Sequence, residues 1–338
     1  MAGGIAGKTR SSVWKDNGLV KALVLGINGQ DGSYLGELLL ERGVEVVGWI
    51  PSSIPVSLEN IQHIINRFQL VEGSLSDQEA INACIEEHRP DEIYNLASPS
   101  SPVASWDSTV EVGDVAGLGA ARLLEAIRVV DPTAHFYQAS SSELFGNPVD
   151  VPQSEMTPFR PRNPYGIAKL YAHWLTARYR QEYGLYAVSG ILFNHESPRR
   201  NLQFVTRKIT HTAAKIKLGV ESELRLGNLD ARRDWGFARD YTEAMWLMMH
   251  QETADDFVIG TAEIHSVREF CELAFGFLDL DYRDYVVQDP MFYRPLEKRQ
   301  LVADYSMASK KLGWHPKTKF EELVNLMVEA DFNTLKSN

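Results

Sequence analysis

A glycine-rich turn between an apolar run and a periodic segment is the feature that most constrains how this chain folds. The run Lys21–Leu25 is consistent with a buried parallel strand, and it leads directly into Gly26–Gly32, which has G-x-x-G-x-x-G spacing. The segment Tyr34–Arg42 has helical periodicity, and Gly43 is placed to end the helix. Glycines let the backbone approach a pyrophosphate closely, and a helix N-terminus offers it free N–H groups. The pattern therefore favours a nucleotide cofactor site over a merely tight turn.

Strand and helix patterns alternate after this unit. Phe68–Val71 and Glu92–Ala97 have the character of strands, and helices are predicted over about residues 77–88 and 115–130. Repeated β-α units imply an α/β fold with a parallel sheet that helices cover on both faces.

Composition excludes several classes of protein. The net charge of −11 argues against a nucleic-acid partner. The sequence contains no apolar run of transmembrane length, so we expect no membrane span. The two cysteines, Cys84 and Cys271, are isolated, which indicates neither a metal site nor a disulfide framework. We therefore expect a soluble protein of a reducing compartment, the cytoplasm.

A second signal, separate from the glycine turn, is a tyrosine–lysine pair that follows a predicted strand with a polar end. The run Phe136–Ala139 is followed by Ser141 and Glu143, which would lie at the carboxyl edge of the sheet, where open α/β folds bind ligands. A helical pattern then places Tyr165 and Lys169 on one helix face. An ammonium beside a phenol lowers the pKa of the phenol, so Tyr165 is predicted to accept a proton near neutral pH. The pair alone would be better explained by packing, but the upstream turn and the strand end favour catalysis.

The end of the second predicted strand, Val44–Trp49, leaves the cofactor open. An acidic residue there would hold the ribose 2′-hydroxyl of NAD, and an arginine would hold the 2′-phosphate of NADP. The chain has neither, since the residues that follow are Ile50, Pro51, Ser52 and Ser53.

Basic residues recur in the C-terminal part of the chain, at Arg207–Lys208, Arg232–Arg233 and Arg294. A single arginine of this kind is usually a solvated surface charge. Several in the loops of an acidic protein fit a diphosphate-bearing substrate better, because guanidinium groups match phosphate oxygens.

With these residues in view, the chain resembles the extended short-chain dehydrogenase/reductase family, and within it the GDP-mannose 4,6-dehydratases. The resemblance extends from about Lys21 to Asp331. Its longest matches are GINGQDGSYLGELLL from Gly26, QASSSELFG from Gln138, NPYGIAKLY from Asn163, ILFNHESPRR from Ile191, FVTRKIT from Phe204, LGNLDARRDWGFARDY from Leu226 and YRPLE from Tyr293.

The resemblance implies a Rossmann-like doubly wound parallel sheet with a smaller C-terminal substrate-binding lobe. It assigns residues 1–20 to a flexible leader and residues 21–193 mainly to the NAD(P)-binding domain, to which a strand near residues 255–260 returns. Residues 194–338 would mainly form the nucleotide-sugar lobe. Family members associate, so a homodimer or homotetramer is expected, with Arg199 near the tetramer contacts.

The implied activity is conversion of GDP-mannose to GDP-4-keto-6-deoxymannose, with NADP as the cofactor and NAD as an alternative. Ser141, Glu143, Tyr165 and Lys169 would be the catalytic residues. The residues that the resemblance places at the cofactor are Gly26, Asn28, Gly29, Gln30, Asp31, Gly32, Ser52, Ser53, Leu75, Leu96, Ala97, Ser100, Tyr165, Lys169, Leu192, Asn194, His195 and Arg200. Those placed at the GDP-sugar are Ser100, Glu143, Asn194, Lys208, Leu226, Gly227, Arg233, Arg294 and Glu297; no metal is implied.

Three segments depart from the family pattern. Ile50–Pro51 stand where the family has paired arginines, Gly73–Ser74 stand where it has Gly-Asp, and Ser98–Ser101 stand where it commonly has Ala-Gln-Ser-His. The last loop would border both cofactor and sugar. A related nucleotide-sugar epimerase and a non-catalytic nucleotide-sensing protein are therefore the alternatives, although all four catalytic residue types are present.

Overall fold

A computed structural model describes residues 19–52, 55–292 and 300–337 of the chain. Ser53, Arg294 and Glu297, together with most of the predicted leader, lie outside the described residues. Within those ranges, no helix combines the length and apolar character needed to cross a membrane.

The centre of the molecule is a seven-stranded sheet in which every pairing is parallel. Its strands are β1 (Lys21–Leu25), β2 (Glu45–Pro51), β3 (Gln69–Gly73), β4 (Glu92–Asn95), β5 (His135–Ser141), β6 (Ala187–Leu192) and β11 (Asp256–Ile259). Their order in the sheet is β11-β6-β5-β4-β1-β2-β3, which confirms the predicted doubly wound fold. The predicted late strand is β11, at the edge of the sheet next to β6.

Six short strands form three pairs outside this sheet. They are β7 (Asn194–Glu196) with β10 (Trp235–Phe237), β8 (Leu224–Leu226) with β13 (Val286–Gln288), and β9 (Arg232–Arg233) with β12 (His265–Ser266). The first two pairs are parallel and the third is antiparallel.

Helices cover both faces of the sheet and build the lobe. They are α1 (Gln30–Glu41), α2 (Gln78–His88), α3 (Thr109–Val112), α4 (Gly119–Val130), α5 (Pro164–Tyr183), α6 (Val205–Lys217), α7 (Ala238–Met249), α8 (Val267–Gly276), α9 (Ser306–Leu312) and α10 (Phe320–Ser337). A π-helical segment, Gly113–Leu118, joins α3 to α4. The helix predicted over residues 115–130 therefore begins earlier, because α3 and the π-helical turn precede it.

Two apolar cores hold the helices against the sheet. Leu35 and Leu39 of α1 share one core with Met245 and Met248 of α7, while Leu123 and Ile127 of α4 belong to the core on the opposite face. Because strands buried on both faces need apolar residues at every position, β1 carries the continuous run that the sequence shows.

A third core lies between α6, α8 and α10 and forms the smaller lobe. Its largest side chains include Phe270, Phe275 and Met327. The chain passes between the two parts more than once, because α7, β11 and α9 lie beyond residue 194 yet pack with the sheet. Trp314, just after α9, donates its indole N–H to the Asp240 carbonyl of α7 at 2.9 Å.

Candidate active site

The glycine turn closes against the strand ends on either side of it. Gly26 has φ +82° and donates its N–H to the Trp49 carbonyl at 2.9 Å. A Cβ on Gly26 would lie 3.1 Å from the Ala97 nitrogen, and one on Gly32 would lie 2.1 Å from the Gly26 oxygen. The turn therefore tolerates no side chain at Gly32.

The first turn of α1 is suited to a phosphate group. Gly29 is the N-cap residue, and glycine has no side chain with which to cap the helix. The first N–H groups of a helix have no acceptor within the helix, and the helix dipole favours an anion there. These residues fit the pyrophosphate of a dinucleotide.

The polar side chains of the turn are bonded to the protein itself. Asn28 donates its amide to the Ser57 carbonyl at 3.2 Å, and Gln30 donates to the His195 carbonyl at 3.1 Å. Asp31 lies 2.8 Å from Nε2 of His195. These three side chains join the turn to the segment after β2 and to β7, so their contacts shape the turn.

Asp31 and His195 form a largely buried ion pair. Burial would raise the pKa of Asp31, but the charge and hydrogen bond of His195 hold it below its ordinary value. Burial would lower the pKa of His195, but Asp31 raises it. The other ring nitrogen of His195 lies 2.7 Å from the Phe193 carbonyl, which fixes the ring orientation.

The other predicted cofactor residues lie around the same edge of the sheet. Leu96 and Ala97 follow β4, Leu192 ends β6, Asn194 begins β7, Leu75 follows β3 and Ser100 lies in the loop after β4. Arg200 places its guanidinium 3.6 Å from the centre of the Phe204 ring and 3.2 Å from the Glu196 carboxylate.

The residues near the end of β2 are apolar and largely buried, and the residue that follows the strand is uncharged. Trp49 and Ile50 are buried, and the Trp49 ring covers Gly73 so closely that a Cβ there would lie 2.1 Å from it. Ser52 follows the strand and donates its N–H to the Gly73 carbonyl at 3.1 Å. Neither Trp49 nor Ile50 is therefore placed to recognise a ribose.

The four predicted catalytic residues come together between β5 and α5. Ser141 is the last residue of β5, and its hydroxyl accepts the N–H of Glu143 at 3.2 Å. Tyr165 and Lys169 lie on the first turns of α5. The Ser141 side chain acts to lower the pKa of the Tyr165 phenol.

Asn163 joins Glu143 to the start of α5. Its side-chain amide donates to the Glu143 carboxylate at 2.8 Å, and its oxygen accepts the Gly166 N–H at 2.7 Å as the cap of the helix. The sequence signals Asn163 as a helix start, but its contact with Glu143 has no sequence signature.

The prediction that Lys169 lowers the pKa of Tyr165 is wrong for this structure. Burial raises the pKa of Tyr165 to about 12, although the Ser141 contact lowers it. Lys169 donates to the Ala139 carbonyl at 2.9 Å, and its nitrogen lies 5.8 Å from the centre of the Tyr165 ring. Burial lowers the pKa of Lys169 itself to about 8.

Four of the predicted substrate residues, Lys208, Leu226, Gly227 and Arg233, lie in the lobe, whereas Ser100, Glu143 and Asn194 lie near the ends of β4, β5 and β6. Lys208 of α6 donates to the Arg225 carbonyl at 2.7 Å and lies 4.2 Å from the centre of the Phe292 ring. Leu226 ends β8 and is followed by Gly227, and Arg233 belongs to β9.

Arg207 does not serve a diphosphate as the sequence suggested. Its Nε donates to both carboxylate oxygens of Asp331, at 2.8 and 2.9 Å, and Asp331 is 1% exposed. Thr210 donates to the same carboxylate at 2.6 Å. This cluster fastens α6 to α10, and its acid is too distant in sequence to be recognised as a partner.

Comparison with known proteins gives matches over nearly the whole chain. A family model described as GDP-mannose 4,6 dehydratase matches residues 23–327. GDP-mannose 4,6 dehydratase 1 of Arabidopsis thaliana is 48% identical, over 95% of this chain and 93% of its own length. The GDP-mannose 4,6 dehydratase of Homo sapiens is 45% identical, over 94% of this chain and 92% of its own.

Solved structures share the fold. The UDP-glucose 4-epimerase of Thermotoga maritima, solved with UDP-glucose, superposes with a TM-score of 0.83 at 26% identity, covering 94% of this chain and all (100%) of its own. The dTDP-glucose 4,6-dehydratase of Bacillus anthracis, solved with NAD, has a TM-score of 0.82 at 21% identity, covering 94% and 98%. At such identity, the second likeness concerns the fold alone.

Proposed function

The chain belongs to the GDP-mannose 4,6-dehydratase family, and from this premise we propose that Ser141, Glu143, Tyr165 and Lys169 remove water from GDP-mannose to form GDP-4-keto-6-deoxymannose. The observation that carries the assignment is the placing of a carboxylate beside a phenol. Glu143 lies two residues after Ser141 and donates its N–H to the Ser141 hydroxyl. The Asn163 amide, at the start of the helix that carries Tyr165, donates a hydrogen bond to the Glu143 carboxylate. In the proposed complex both groups act on one sugar ring.

The first proton transfer involves the sugar 4-hydroxyl. A nicotinamide cofactor held at the glycine turn would supply the redox chemistry, a hydride acceptor for C4 and a hydride donor for C6. Tyr165 removes the proton of the 4-hydroxyl, and Ser141 donates a hydrogen bond to the same oxygen. Lys169 spends one of its three N–H donors on the Ala139 carbonyl, and its charge favours the phenolate more strongly the nearer it lies to the phenol.

The second proton transfer removes water. The 4-ketone acidifies the C5 proton, which Glu143 accepts. The protonated carboxyl then gives a proton to the 6-hydroxyl, which leaves as water with its bonding electrons. After hydride reaches C6, the resulting enolate takes a proton at C5, which balances the proton that Tyr165 accepted from the 4-hydroxyl. Asn163 orients the carboxylate throughout, because its amide donates to Glu143 while its oxygen caps α5.

We propose NADP as the cofactor on the strength of the family, with NAD as the alternative. The alternative has a physical basis, because Pro51 and Ser52 at the end of β2 carry no charge to pair with a 2′-phosphate. Isothermal titration with each oxidised cofactor decides between them. A tighter complex with NAD⁺ would reject the NADP assignment.

We also propose that the nucleotide part of the substrate binds in the lobe, with Lys208, Leu226, Gly227 and Arg233 on one side and Ser100 and Asn194 nearer the sugar. Arg294 and Glu297 complete this proposal, although both lie outside the described residues. Lys208 is the best-supported member, because its ammonium projects from α6 next to the Phe292 ring.

For assembly, we propose a homodimer through an apolar face of α5, with a homotetramer as the alternative. Ile167, Tyr171 and Trp174 recur at helical spacing on α5 and remain 57%, 46% and 53% exposed. The neighbouring helical turns add Trp106 and Val110, which are 65% and 85% exposed. Arg199 is held within its own chain, 3.0 Å from the Ser33 hydroxyl and over the Tyr34 ring. Sedimentation of Trp174→Glu against the natural chain tests the dimer.

Mass spectrometry of GDP-mannose incubated with the protein and either cofactor tests the reaction. Loss of one water from the sugar nucleotide is the expected result. An unchanged mass with a shifted chromatographic position would mean epimerisation. No change with either cofactor would favour another sugar, and the loop Ser98–Pro102 would then become the region to examine.

A further inference from the structure

A row of hydrogen-bonded and charged side chains, most of them buried, lies next to the end of β5 that carries Ser141. Ser140, the residue before Ser141, places its hydroxyl 3.1 Å from Nδ1 of His173 on α5. Both side chains belong to residues that are only 3% exposed. Neither takes part in the proton transfers described above, so their pairing needs another explanation.

The opposite side of the His173 ring faces a charged pair. Its Nε2 lies 4.0 Å from the Asp256 carboxylate, which Arg180 holds through two hydrogen bonds of 3.0 and 2.8 Å. Asp256 also accepts the N–H of Ser189 at 3.1 Å, so the carboxylate is fixed to β6. The ring is thus held between two strands of the sheet.

Burial lowers the pKa of His173, although Asp256 opposes that effect, so the ring is neutral near neutral pH. A neutral imidazole donates through one nitrogen and accepts through the other. With the proton on Nε2, facing the carboxylate, Nδ1 accepts the Ser140 O–H. In this arrangement Ser140 and Nδ1 are hydrogen-bonded, and the Nε2–H faces the Asp256 carboxylate at 4.0 Å, an electrostatic contact that is longer than a hydrogen bond.

The residue types are those of a serine hydrolase, but the burial of Ser140 rules out that function here. A nucleophile needs access to its substrate, and this hydroxyl is enclosed between β5 and α5. The contact instead joins the two elements that carry the proposed catalytic residues.

His173 lies one helical turn after Lys169 and two turns after Tyr165, on the same face of α5. We propose that His173 is a positioning residue, which sets the height of α5 against β5 and thereby the separation of the Tyr165 phenol from the Ser141 hydroxyl. This inference rests on the proposed function. A sliding of α5 by even about 1 Å is enough to lower a rate about a hundredfold.

Three substitutions at one position separate the two sides of the ring. His173→Asn keeps a polar atom where Nδ1 lies, His173→Gln keeps one near Nε2, and His173→Phe keeps neither. The expected result is a kcat near that of the natural chain for His173→Asn. For His173→Phe and His173→Gln, kcat falls about ten- to a hundredfold while KM changes little.

The pH profile of kcat gives a readout that simple loss of stability does not move. The Ser141 side chain acts to lower the pKa of Tyr165. Because Tyr165 must be deprotonated to accept a proton, weakening that contact raises its pKa and shifts the ascending, acidic limb of the profile to higher pH in His173→Phe. Ser140→Ala should reproduce the shift, and the double variant should be no worse than His173→Phe, because both changes remove one contact.

Thr176→Val is the matched control, since Thr176 is buried on the same helix but bonds only to the Ala172 carbonyl, at 2.9 Å, in the hydrogen bonds of the described residues. It should change stability without changing the pH profile. Activity of the natural chain on GDP-mannose tests the proposed function separately. If that activity is present and His173→Phe or Ser140→Ala matches it in kcat and pH profile, or His173→Asn fails to restore it, the inference is overturned. Should His173→Phe not fold, Ser140→Ala alone decides the outcome.

Discussion

The glycine turn and the Tyr165–Lys169 site are differently prepared for their ligands. The turn is completed by contacts within the protein, because Asp31 is paired with His195 and Gln30 is bonded to the same β7 segment. At the other site, Lys169 donates to a carbonyl and burial keeps the Tyr165 phenol protonated. The comparison shows that the turn is held in place by its own ion pair and hydrogen bonds, whereas the Lys169 ammonium is bonded to a carbonyl and lies 5.8 Å from the centre of the Tyr165 ring.

Removing the Tyr165 hydroxyl should give the largest difference between the effect on kcat and the effect on cofactor affinity. We expect Tyr165→Phe to lower kcat about 10³- to 10⁴-fold, because it removes the group proposed to accept the proton of the 4-hydroxyl. Cofactor affinity, measured by titration calorimetry, should change less than about threefold, since a phenyl ring retains the packing. Tyr183→Phe, at the exposed end of the same helix, is the control. A large loss of affinity in Tyr165→Phe would mean that the two regions are not separable.

Gly32→Ala in the glycine turn should have the opposite pattern, with its main effect on cofactor affinity. Its Cβ would lie 2.1 Å from the Gly26 oxygen, so the turn must open and its N–H groups must move. We expect the dissociation constant of the cofactor to rise about a hundredfold, equivalent to about 2.7 kcal/mol. Gly276→Ala is the matched control, because a Cβ at Gly276 meets no atom of the described residues within 4 Å. Unchanged affinity in Gly32→Ala would show that the turn is not rigid.

Asp31→Asn tests whether the ion pair supplies that rigidity. We expect a loss of about 2 kcal/mol in the free energy of unfolding near pH 6, measured by urea denaturation, because a buried charge loses its partner. The lowered pKa of Asp31 gives stability that is present above the ordinary carboxyl pKa and lost as pH falls through the folded value. The raised pKa of His195 gives stability that is complete below pH 6.5 and lost as pH rises through the folded value.

The difference between Asp31→Asn and the natural chain should therefore be largest between those two pKa values and shrink on either side. A difference that does not vary with pH would indicate that the pair is bonded without charge.

The smallest effects are expected at Asn163, where two substitutions distinguish its role in capping α5 from its role in orienting Glu143. Asn163→Ala removes the cap of α5 and the donor to Glu143, so we expect about 1 kcal/mol less stability and a severalfold lower kcat. Asn163→Asp keeps a capping oxygen but places a second carboxylate beside Glu143. It should recover the stability without recovering kcat, and full recovery of both would show that orientation of Glu143 does not matter.

Much of the framework was predictable because it depends on local pattern. The run Lys21–Leu25 became β1 with the predicted bounds, and the predicted helix over residues 77–88 has Asp77 as its N-cap. The helix after β4 was misjudged at its start, because Gly113 and Gly117 interrupt the apolar periodicity where the chain forms a π-helical turn.

The candidate site was predictable only as far as residue types and spacing determine it. Tyr165 and Lys169 share a helix face as predicted, but the preference of Lys169 for the Ala139 carbonyl depends on burial that spacing does not reveal. Arg207 had the appearance of a phosphate ligand because its partner, Asp331, joins it only in the folded lobe. Long-range polar pairs of this kind leave no periodic signal in one sequence.

Because β11 joins the sheet only after part of the lobe has been formed by the preceding sequence, the chain cannot be cut cleanly into two parts. The half of the molecule that contains the seven-stranded sheet is not a continuous stretch of the chain, because its edge strand β11 and the covering helices α7 and α9 follow part of the lobe in sequence. A gene fragment ending near residue 193 would leave β6 as an open edge, ready to pair with other chains. A single exchange of everything after residue 193 would therefore replace part of the sheet together with the lobe, and the lobe cannot be exchanged alone by one junction.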